Sequence, residues 1–385
     1  MTSEWKTIRA ADFIDFNPRL SIKKNSEATK IPMEKLRPFT KHIPATERAI
    51  FTGGSKFCNG DTIMARITPC LENGKTAYVD VLKENEVGFG STEFIVMRAI
   101  PGVSDPQFVY YLATSPAFRN VAIKSMVGSS GRQRVQQGVL DAFEVTVPPL
   151  RVQKQIGEFL SALDGKIQMN EKLNDNLQQQ AAALFANFYD RAETEVGFTE
   201  IIQILGGGTP KTGESSYWNG NVPFFTPKDV GSPYTLATEK TITEEGLAHC
   251  NSRLYPINTV FVTARGTVGK VGLPGVPMAM NQSCYALVGK DTHQLLVYFY
   301  TLKAVDRLKH KASGAVFDAI TTRDFESEII MKLSDDDEKA FLDVAQPIYQ
   351  AVLSNSIENL GLAALRDSLL PKLMSGEIDA SAVQL

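Results

Sequence analysis

The feature that most restricts the fold of this 385-residue chain is a long apolar stripe between Arg151 and Asp190. Apolar residues recur there at alternating steps of four and three, which is the spacing of one helix face. The stripe consists of Ile156, Leu160, Leu163, Ile167, Leu177, Ala181, Leu184 and Phe188. A helix of about 40 residues is roughly 60 Å long at 1.5 Å per residue. It exceeds a usual domain diameter, so its apolar face needs a partner.

Two asparagines, Asn170 and Asn174, interrupt the stripe at seam positions. Polar residues at such positions fix register and partner in a coiled coil, so a partner helix is predicted. A second, less regular pattern runs from Asp335 to about Leu373 and opens with acidic residues, which suit the positive end of a helix dipole. Pro347 predicts a kink or a break after Gln346 in this helix. Gly376 suits its end.

The order of elements before each long helix is the same, which indicates an internal duplication. Each half has two strand-like runs, a short helix, a small-residue loop and a last strand. The first set covers 57–70, 93–99, 108–126, 127–135 and 143–148, and the second covers 258–273, 283–289, 295–312, 313–320 and 325–331. We therefore predict an α+β chain of two mixed α/β domains, residues 1–150 and 196–334. Each is followed by a long helix, in residues 151–195 and 335–385.

Composition excludes several classes of protein. With 43% hydrophobic and 22% charged residues, the chain is expected to form packed cores. No run approaches the roughly 20 apolar residues of a membrane helix, and the start lacks a signal-peptide layout, so we expect a cytoplasmic protein that does not bind membranes. Four scattered cysteines form no CxxC pair and are expected to be buried, reduced thiols, and four scattered histidines indicate no metal site.

The net charge of −3 is distributed unevenly. The regional values are +4 for 1–150, −2 for 151–195, +1 for 196–334 and −6 for 335–385. The two mixed domains are thus less acidic than the helices, which is the sign expected if the domains contact nucleic acid.

Three segments resemble the specificity subunits of Type I restriction-modification systems. Residues 147–188 resemble their central conserved region, with Pro-Pro-Leu, Gln-Lys-x-Ile, Leu-Asp-x-Lys-Ile and Leu-Phe-x-x-Phe in order. Residues 365–378 resemble the distal conserved region. Residues 206–230 resemble the opening of a target-recognition domain, with Gly-Thr-Pro, Tyr-Trp-x-Gly and Pro-Lys-Asp. The first domain, with FNPRL at 16–20, departs from that opening and belongs to another sequence class.

The resemblance implies two target-recognition domains joined by two conserved helices that pack antiparallel as a spacer. Each domain would read one half of a split, asymmetric site in double-stranded DNA. Two methyltransferase subunits would supply S-adenosylmethionine and adenine methylation, and restriction subunits could join them. This chain itself would have no catalytic residues and no cofactor.

The loop at 128–137 has the composition of a DNA contact, although a solvated loop is the alternative. Its flexible glycines, arginines and glutamines suit phosphate contacts and base-edge hydrogen bonds. The candidates are Ser129, Ser130, Arg132, Gln133 and Arg134. Arg66, Lys75, Arg265 and Lys270, in strand-loop segments, are further candidates, for which ordinary surface salt bridges are equally plausible.

The glycine-rich segment 206–213 is not a P-loop, because Pro210 precedes Lys211 where that motif needs glycine. A glycine-rich turn into the domain and a direct backbone contact to DNA are equally plausible for this segment. Lys211 within it and Lys228 in the Pro-Lys-Asp element are candidate DNA-binding residues. Tyr217, Trp218, Phe224 and Phe225 favour a core over base stacking.

No methylation motif, S-adenosylmethionine loop, Walker A sequence or nuclease carboxylate set is found. Asp164 and Lys166 have DxK spacing, but they lie on a helix and are interpreted as facing solvent or another subunit. Two alternatives stay open: a recognition subunit of a methylation-only complex, and a coiled-coil scaffold with two protein-binding domains. The scaffold would not explain the three family-like segments.

Overall fold

The computed structural model describes residues 5–129, 131–231, 233–311 and 319–380. Their contacts divide into two compact units. The first contains the described residues up to Met169 and from Leu360 onward, and the second is Asn170–Asn359. The boundary between the units falls inside each long helix. Among the described residues, no helix is both long and apolar enough to cross a membrane.

The helices and strands of the described residues alternate along both halves of the chain. The helices are α1 (Pro106–Thr114), α2 (Pro116–Lys124), α3 (Gln137–Ala142), α4 (Leu150–Asp190), α5 (Phe198–Ile201), α6 (Glu244–Ala248), α7 (Gln294–Lys311), α8 (Thr322–Glu326) and α9 (Asp335–Ser375). The strands of the first half are β1 (Lys6–Arg9), β2 (Ile14–Phe16), β3 (Glu27–Ile31), β4 (Glu47–Ile50), β5 (Lys56–Phe57), β6 (Thr62–Ala65), β7 (Thr76–Tyr78), β8 (Gly88–Gly90), β9 (Phe94–Ala99) and β10 (Glu144–Val147). The strands of the second half are β11 (Thr194–Gly197), β12 (Ile202–Gly206), β13 (Trp218–Phe225), β14 (Tyr234–Thr235), β15 (Lys240–Ile242), β16 (Val260–Thr263), β17 (Val271–Pro274), β18 (Ala279–Met280), β19 (Cys284–Gly289) and β20 (Ile329–Lys332).

The two halves share one sheet topology. The first has an antiparallel sheet in the order β2-β9-β6-β7, and the second has β12-β19-β16-β17 with β14 added. A second sheet joins β3 to β8 in parallel in the first half, and β13 joins β18 in parallel in the second. In each half the first strand pairs with the strand that leads into the long helix, as β1–β10 and β11–β20. The predicted α+β class is confirmed, and the strands and helices follow the predicted repeated order. Most of the loop predicted at 313–320 lies outside the described residues.

In the first unit, the start of α4 packs against the end of α9. Ile156 and Leu160 are fully buried in the same apolar cluster as Leu370 and Leu373. Asp164 is buried too: its Oδ1 lies 2.5 Å from Nη1 of Arg366, and its Oδ2 accepts a 2.5 Å hydrogen bond from the Tyr111 hydroxyl. The interpretation of Asp164 as facing solvent or another subunit is therefore wrong. The helical stripe did not reveal it, because its partners lie far away in sequence.

In the second unit, the end of α4 packs against the start of α9. Asn170 donates to Glu358 and Asn359 at 2.7 and 2.9 Å, and Asn174 donates to the carbonyl of Val352 at 3.3 Å. Both asparagines are buried. In each unit the paired segments run in opposite directions, which confirms the antiparallel packing, and the asparagines hydrogen-bond across the seam as a register-fixing residue does.

The buried stripe shifts along α4. Ile156, Leu160 and Leu163 are buried as predicted, whereas Ile167, Leu177, Leu184 and Phe188 are only partly buried. Toward its end the helix buries Ala181, as predicted, and also Phe185 and Tyr189, which pack with aromatic residues of α7 and α9. Leu177, Leu184 and Phe188 still pack against this core but are buried less deeply. A straight helix drifts about 20° per heptad from a strict 3.5-residue repeat, so the most buried positions shift to Phe185 and Tyr189.

The second long helix does not break at Pro347, contrary to one of the two outcomes predicted for it. α9 continues as one helix from Asp335 to Ser375. Proline removes one backbone hydrogen bond, but Phe341, Ala345, Tyr349 and Val352 on either side are buried in the core of the second unit and hold the helix in place. The helix ends before Gly376, as predicted, where φ is +74°.

Two shorter elements differ from their predicted form. The helix predicted at 108–126 is divided into α1 and α2 by Ser115 and Pro116, and the hydroxyl of Ser115 caps α2. The last strand predicted at 325–331 begins only at Ile329, because Thr321 and Asp324 form a capping box that starts α8.

Candidate nucleic-acid interface

In the first unit, the predicted contact residues meet at one edge of the sheet. β2 and β6 end at this edge, and β7 and β9 begin there, since these neighbouring strands are antiparallel. Arg66 follows β6, and its backbone N–H donates to Glu93, directly before β9, at 2.9 Å. Lys75 directly precedes β7, and its carbonyl accepts from the N–H of Ala65 at 3.0 Å. The fold thus places Arg66, Lys75 and Glu93 side by side.

The loop before α3 crosses the same edge. The backbone N–H of Thr68 donates to the carbonyl of Gln133 at 3.1 Å, and that of Val135 donates to Arg66 at 2.9 Å. Ser129 lies in an exposed turn closed by the N–H of Arg132. The structure therefore brings Gln133 and Arg134 beside the segment that begins at Arg66, and Ser129 and Arg132 lie farther out in the same loop. Ser130 lies outside the described residues.

The basic side chains at this edge differ in how far they are already bonded to other groups of the protein. Arg66 donates to the carbonyl of Val135 at 3.2 Å, and Lys75 donates to that of Met33 at 3.0 Å, so both brace neighbouring loops. Arg134 forms a bidentate ion pair with Glu93, and its hydrogen bonds hold the pKa of that carboxyl below its usual range. Arg132 is exposed, and no acid among the described residues pairs with it. Arg132 is therefore the basic side chain here best placed to meet a phosphate.

The equivalent edge of the second unit has the same construction. β16 ends before Arg265, and the N–H of Ala264 donates to the carbonyl of Ser283, directly before β19, at 2.8 Å. Lys270 directly precedes β17, and its carbonyl accepts from the N–H of Thr263 at 2.9 Å. Arg265 also bridges to Ala319, in the segment that returns toward α8. Arg265 and Lys270 are both exposed. Lys270 lies in the position that Lys75 occupies in the first unit, whereas Arg265 lies one residue beyond the position of Arg66, at that of Ile67.

The glycine-rich segment after β12 lies at this second edge. A Cβ on Gly207 would lie 2.2 Å from the carbonyl oxygen of Asn281, so only glycine allows this approach. Thr209 then hydrogen-bonds to Gln282, while Lys211 is exposed and its carbonyl accepts from Trp218 at 3.2 Å. The segment is both a close-packed turn and a support for an exposed lysine.

Lys228 reaches the same edge on a separate turn. The hydroxyl of Thr267, in the loop between β16 and β17, donates to the carbonyl of Pro227 at 3.2 Å. Nζ of Lys228 lies 3.8 Å from a carboxylate oxygen of Glu239, and both side chains are mostly exposed. Such a pair contributes little to stability, so Lys228 remains accessible to another anion.

The aromatic residues after this turn divide between core and surface. Phe224 and Phe225 are buried, as the core interpretation predicts. Tyr217 and Trp218 are partly exposed, but Tyr217 stacks on His249 and Trp218 packs edge-on against Phe224. These contacts within the domain favour a structural role for all four.

Residues that sequence reasoning missed also lie at the two edges, namely Glu93, Thr209, Gln282 and Ser283. No local signal marked Glu93, because an acid is not expected beside DNA and its partner Arg134 is 41 positions away. Thr209 stands in the Gly-Thr-Pro motif, which could have drawn attention to it.

The described residues contain no group of three or more potential metal ligands. All four cysteines are free, but only Cys284 is buried, so the expectation of buried thiols is wrong for Cys58, Cys70 and Cys250. Burial raises the pKa of Cys284 to about 12.

Comparison with known families identifies one family model, whose two matches together cover most of the chain. The model of the Type I restriction modification DNA specificity domain matches twice, over residues 2–179 and 194–338. Each match contains one of the two sheet edges. The duplication seen in the strands is therefore a duplication of this domain.

Individual relatives agree with this match. The Type I restriction enzyme HindI specificity subunit of Haemophilus influenzae is 23% identical, over 83% of this chain and 86% of that protein. The MjaIX specificity subunit of Methanocaldococcus jannaschii is 32% identical over a shorter stretch, 31% of this chain and 29% of that protein. Among solved structures, the Type-I restriction-modification system S subunit from M. genitalium superposes with a TM-score of 0.56 at 15% identity, covering 96% of both chains. That last likeness supports the fold.

Proposed function

This chain belongs to the Type I restriction-modification DNA specificity family, and from that premise we propose that its two domains each read one half of a bipartite, asymmetric DNA site. The domains are residues 1–150 and 196–334, each followed by a spacer helix. DNA recognition is the shared property of the family, and the division of the site between two domains is the step added here.

The observation that carries the proposal is the repeated sheet edge. In both domains a basic residue follows the central strand and a lysine precedes the next one, as Arg66 and Lys75 or Arg265 and Lys270. Loops with exposed basic side chains, Arg132 in one domain and Lys211 in the other, lie at the same edge. Phosphate contacts of this kind position a protein on DNA, while neighbouring polar side chains read base edges. Each domain thus has one such edge, which reads one half-site of the DNA.

The paired helices act as the spacer between the half-sites. Recognition elements that read one face of B-DNA are separated by about one helical turn, roughly 34–36 Å, or multiples of it. Helices of 41 residues provide ample length for such a separation at 1.5 Å per residue. A target with an unread gap between two short sequences follows.

Catalysis belongs to partner subunits in this proposal. Two methyltransferase subunits bind alongside the chain, supply S-adenosylmethionine and methylate adenine, and restriction subunits join them to cleave DNA. The chain contributes the sequence preference. The partly buried seam residues Ile167, Leu177, Leu184 and Phe188 remain candidates for contacts with these partners.

Single alanine variants at the two edges test the proposal in the assembled complex of this chain with its methyltransferase. Arg132→Ala and Arg265→Ala are each expected to weaken DNA binding and to reduce the slope of log K against log salt by about 1, because each loses one phosphate contact. The matched control is Lys290→Ala. Lys290 lies beyond the opposite end of β19, where its Nζ bonds to the carbonyl of Thr199. Unchanged slopes in both arginine variants would contradict the placement of DNA at these edges.

A further inference from the structure

An acidic residue, Glu93, lies among the basic residues of the first sheet edge. It directly precedes β9, between Arg66 and Arg134, and its side chain is 24% exposed. The topologically equivalent position in the second domain is Ser283, since both residues accept a backbone hydrogen bond from the chain that leaves the central strand. A carboxylate facing DNA phosphates is repelled by them, so a carboxylate at this position, where the second domain has a serine, needs a reason.

The geometry of Glu93 makes it a fixed hydrogen-bond acceptor. Nε of Arg134 lies 3.0 Å from each carboxylate oxygen, and Nη2 lies 2.7 Å from Oε1. A bidentate arginine holds the plane of the carboxylate and offsets its charge. The two oxygens have about four acceptor sites in total, so the three contacts from Arg134 leave about one open, on Oε2. Arg134 also bridges to Ile67 and Val127, which anchors the pair to the sheet.

An ionised carboxylate can accept hydrogen bonds but cannot donate them. In the major groove, cytosine N4 and adenine N6 are donors, whereas guanine O6 and thymine O4 are acceptors. In the major groove, a carboxylate at a base edge therefore favours cytosine and adenine and disfavours guanine and thymine. Acidic side chains typically pair with cytosine N4, while adenine is read in a bidentate manner by Asn or Gln.

We propose that Glu93 is a specificity-determining residue of the first domain, which accepts a hydrogen bond from the exocyclic amino group of one base, cytosine by preference, in the first half-site. Arg134 is then a positioning residue that holds this carboxylate, rather than a phosphate contact. The inference rests on the proposed function, because it presumes that the first domain reads a half-site.

Glu93→Gln tests this inference by methylome sequencing of cells that express the chain with its methyltransferase. The introduced amide would donate as well as accept, so one base pair of one half-site is expected to lose discrimination by about tenfold. The other half-site is an internal control and is expected to stay unchanged. The matched control is Glu144→Gln, an exposed acid on β10, which should leave both half-sites intact. If neither half-site lost discrimination at any base pair, the inference would be overturned.

A second measurement changes the DNA and so tests the hydrogen bond to the amino group itself. Each cytosine of the first half-site is replaced by 2-pyrimidinone and each adenine by purine, which lack the amino group. One such substitution is expected to weaken binding about tenfold in the wild-type complex and not in Glu93→Gln. Equal effects in the two complexes would show that Glu93 reads no amino group.

Arg134→Ala separates positioning from phosphate binding. The inference expects relaxation at the same base pair as in Glu93→Gln. If Arg134 instead leaves Glu93 to bind phosphate, Arg134→Ala would weaken binding to all sequences and lower the salt slope without changing the motif, and the inference would be wrong. Absence of any gapped motif with the wild-type chain would reject the proposed function itself, which is a different outcome.

Discussion

Replacing Arg366 with alanine is expected to destabilise the first unit by about 3–5 kcal/mol, because it leaves the carboxylate of Asp164 buried without its cation. The Asp164 side chain is 3% exposed and that of Arg366 is 11% exposed. Tyr111 would still donate to Asp164, and burial raises the pKa of Tyr111, so its hydroxyl stays protonated. One neutral hydrogen bond does not compensate a buried negative charge.

Tryptophan fluorescence in urea measures this loss in the first unit. The chain has two tryptophans. Trp5 packs against Gly376 in the first unit and Trp218 lies in the second, so a Trp218→Phe background leaves Trp5 as the reporter. The matched control is Arg191→Ala, read through Trp218 in a Trp5→Phe background. Arg191 also bridges α4 and α9, to Asp337, but its side chain is 55% exposed and the expected cost is at most about 1 kcal/mol.

The double variant Asp164→Leu with Arg366→Met is expected to be more stable than Arg366→Ala, since it also removes the buried carboxylate that Arg366→Ala leaves without its partner. A loss below about 1 kcal/mol in Arg366→Ala, equal to that of the exposed pair, would mean that the buried pair does not hold the helices together in the first unit.

Lengthening both helices by seven residues is expected to widen the gap of the DNA target by about three base pairs and to leave both half-sites unchanged. Seven helical residues add roughly 10 Å at 1.5 Å per residue, which corresponds to about three base-pair steps of 3.4 Å. The insertions belong between Met169 and Asn170 and between Asn359 and Leu360, where the two units divide. A heptad keeps the apolar stripe close to its original face. Methylome sequencing measures the outcome.

The control for this experiment is the same insertion in α4 alone. It displaces Asn170 and Asn174 from their partners on α9, so methylation is expected to fall sharply. If the double insertion altered the half-sites and kept the gap, the helices would not be the spacer.

The long helices were predictable because their apolar periodicity is strong and local. The register of their packing was not. Phe185 and Tyr189 are buried more deeply than the predicted Leu184 and Phe188, which pack at the margin of the same core, because the rotation of the stripe depends on how a 3.6-residue helix meets a folded domain. Helix continuity at Pro347 likewise depends on contacts made by distant residues.

The candidate site was predictable as a set of segments but not as a geometry. The repeated strands correctly indicated that Arg66 and Lys75, like Arg265 and Lys270, lie at corresponding strand ends, since chain order determines which strand ends meet. The exact register was not predictable, because Arg265 corresponds to Ile67 and not to Arg66. Whether a side chain faces outward was decided by partners remote in sequence. Lys75 bonds to Met33 and Arg134 to Glu93, whereas Arg132 and Arg265 remain exposed.

The measurement that tests the central claim most directly is methylome sequencing of a methylation-free bacterial host that expresses this chain with its neighbouring methyltransferase. The account predicts a single gapped, asymmetric methylated motif that disappears when this chain is omitted. An ungapped motif, or no methylation despite a stable and correctly assembled complex, would contradict the claim that two domains of this chain read a bipartite site.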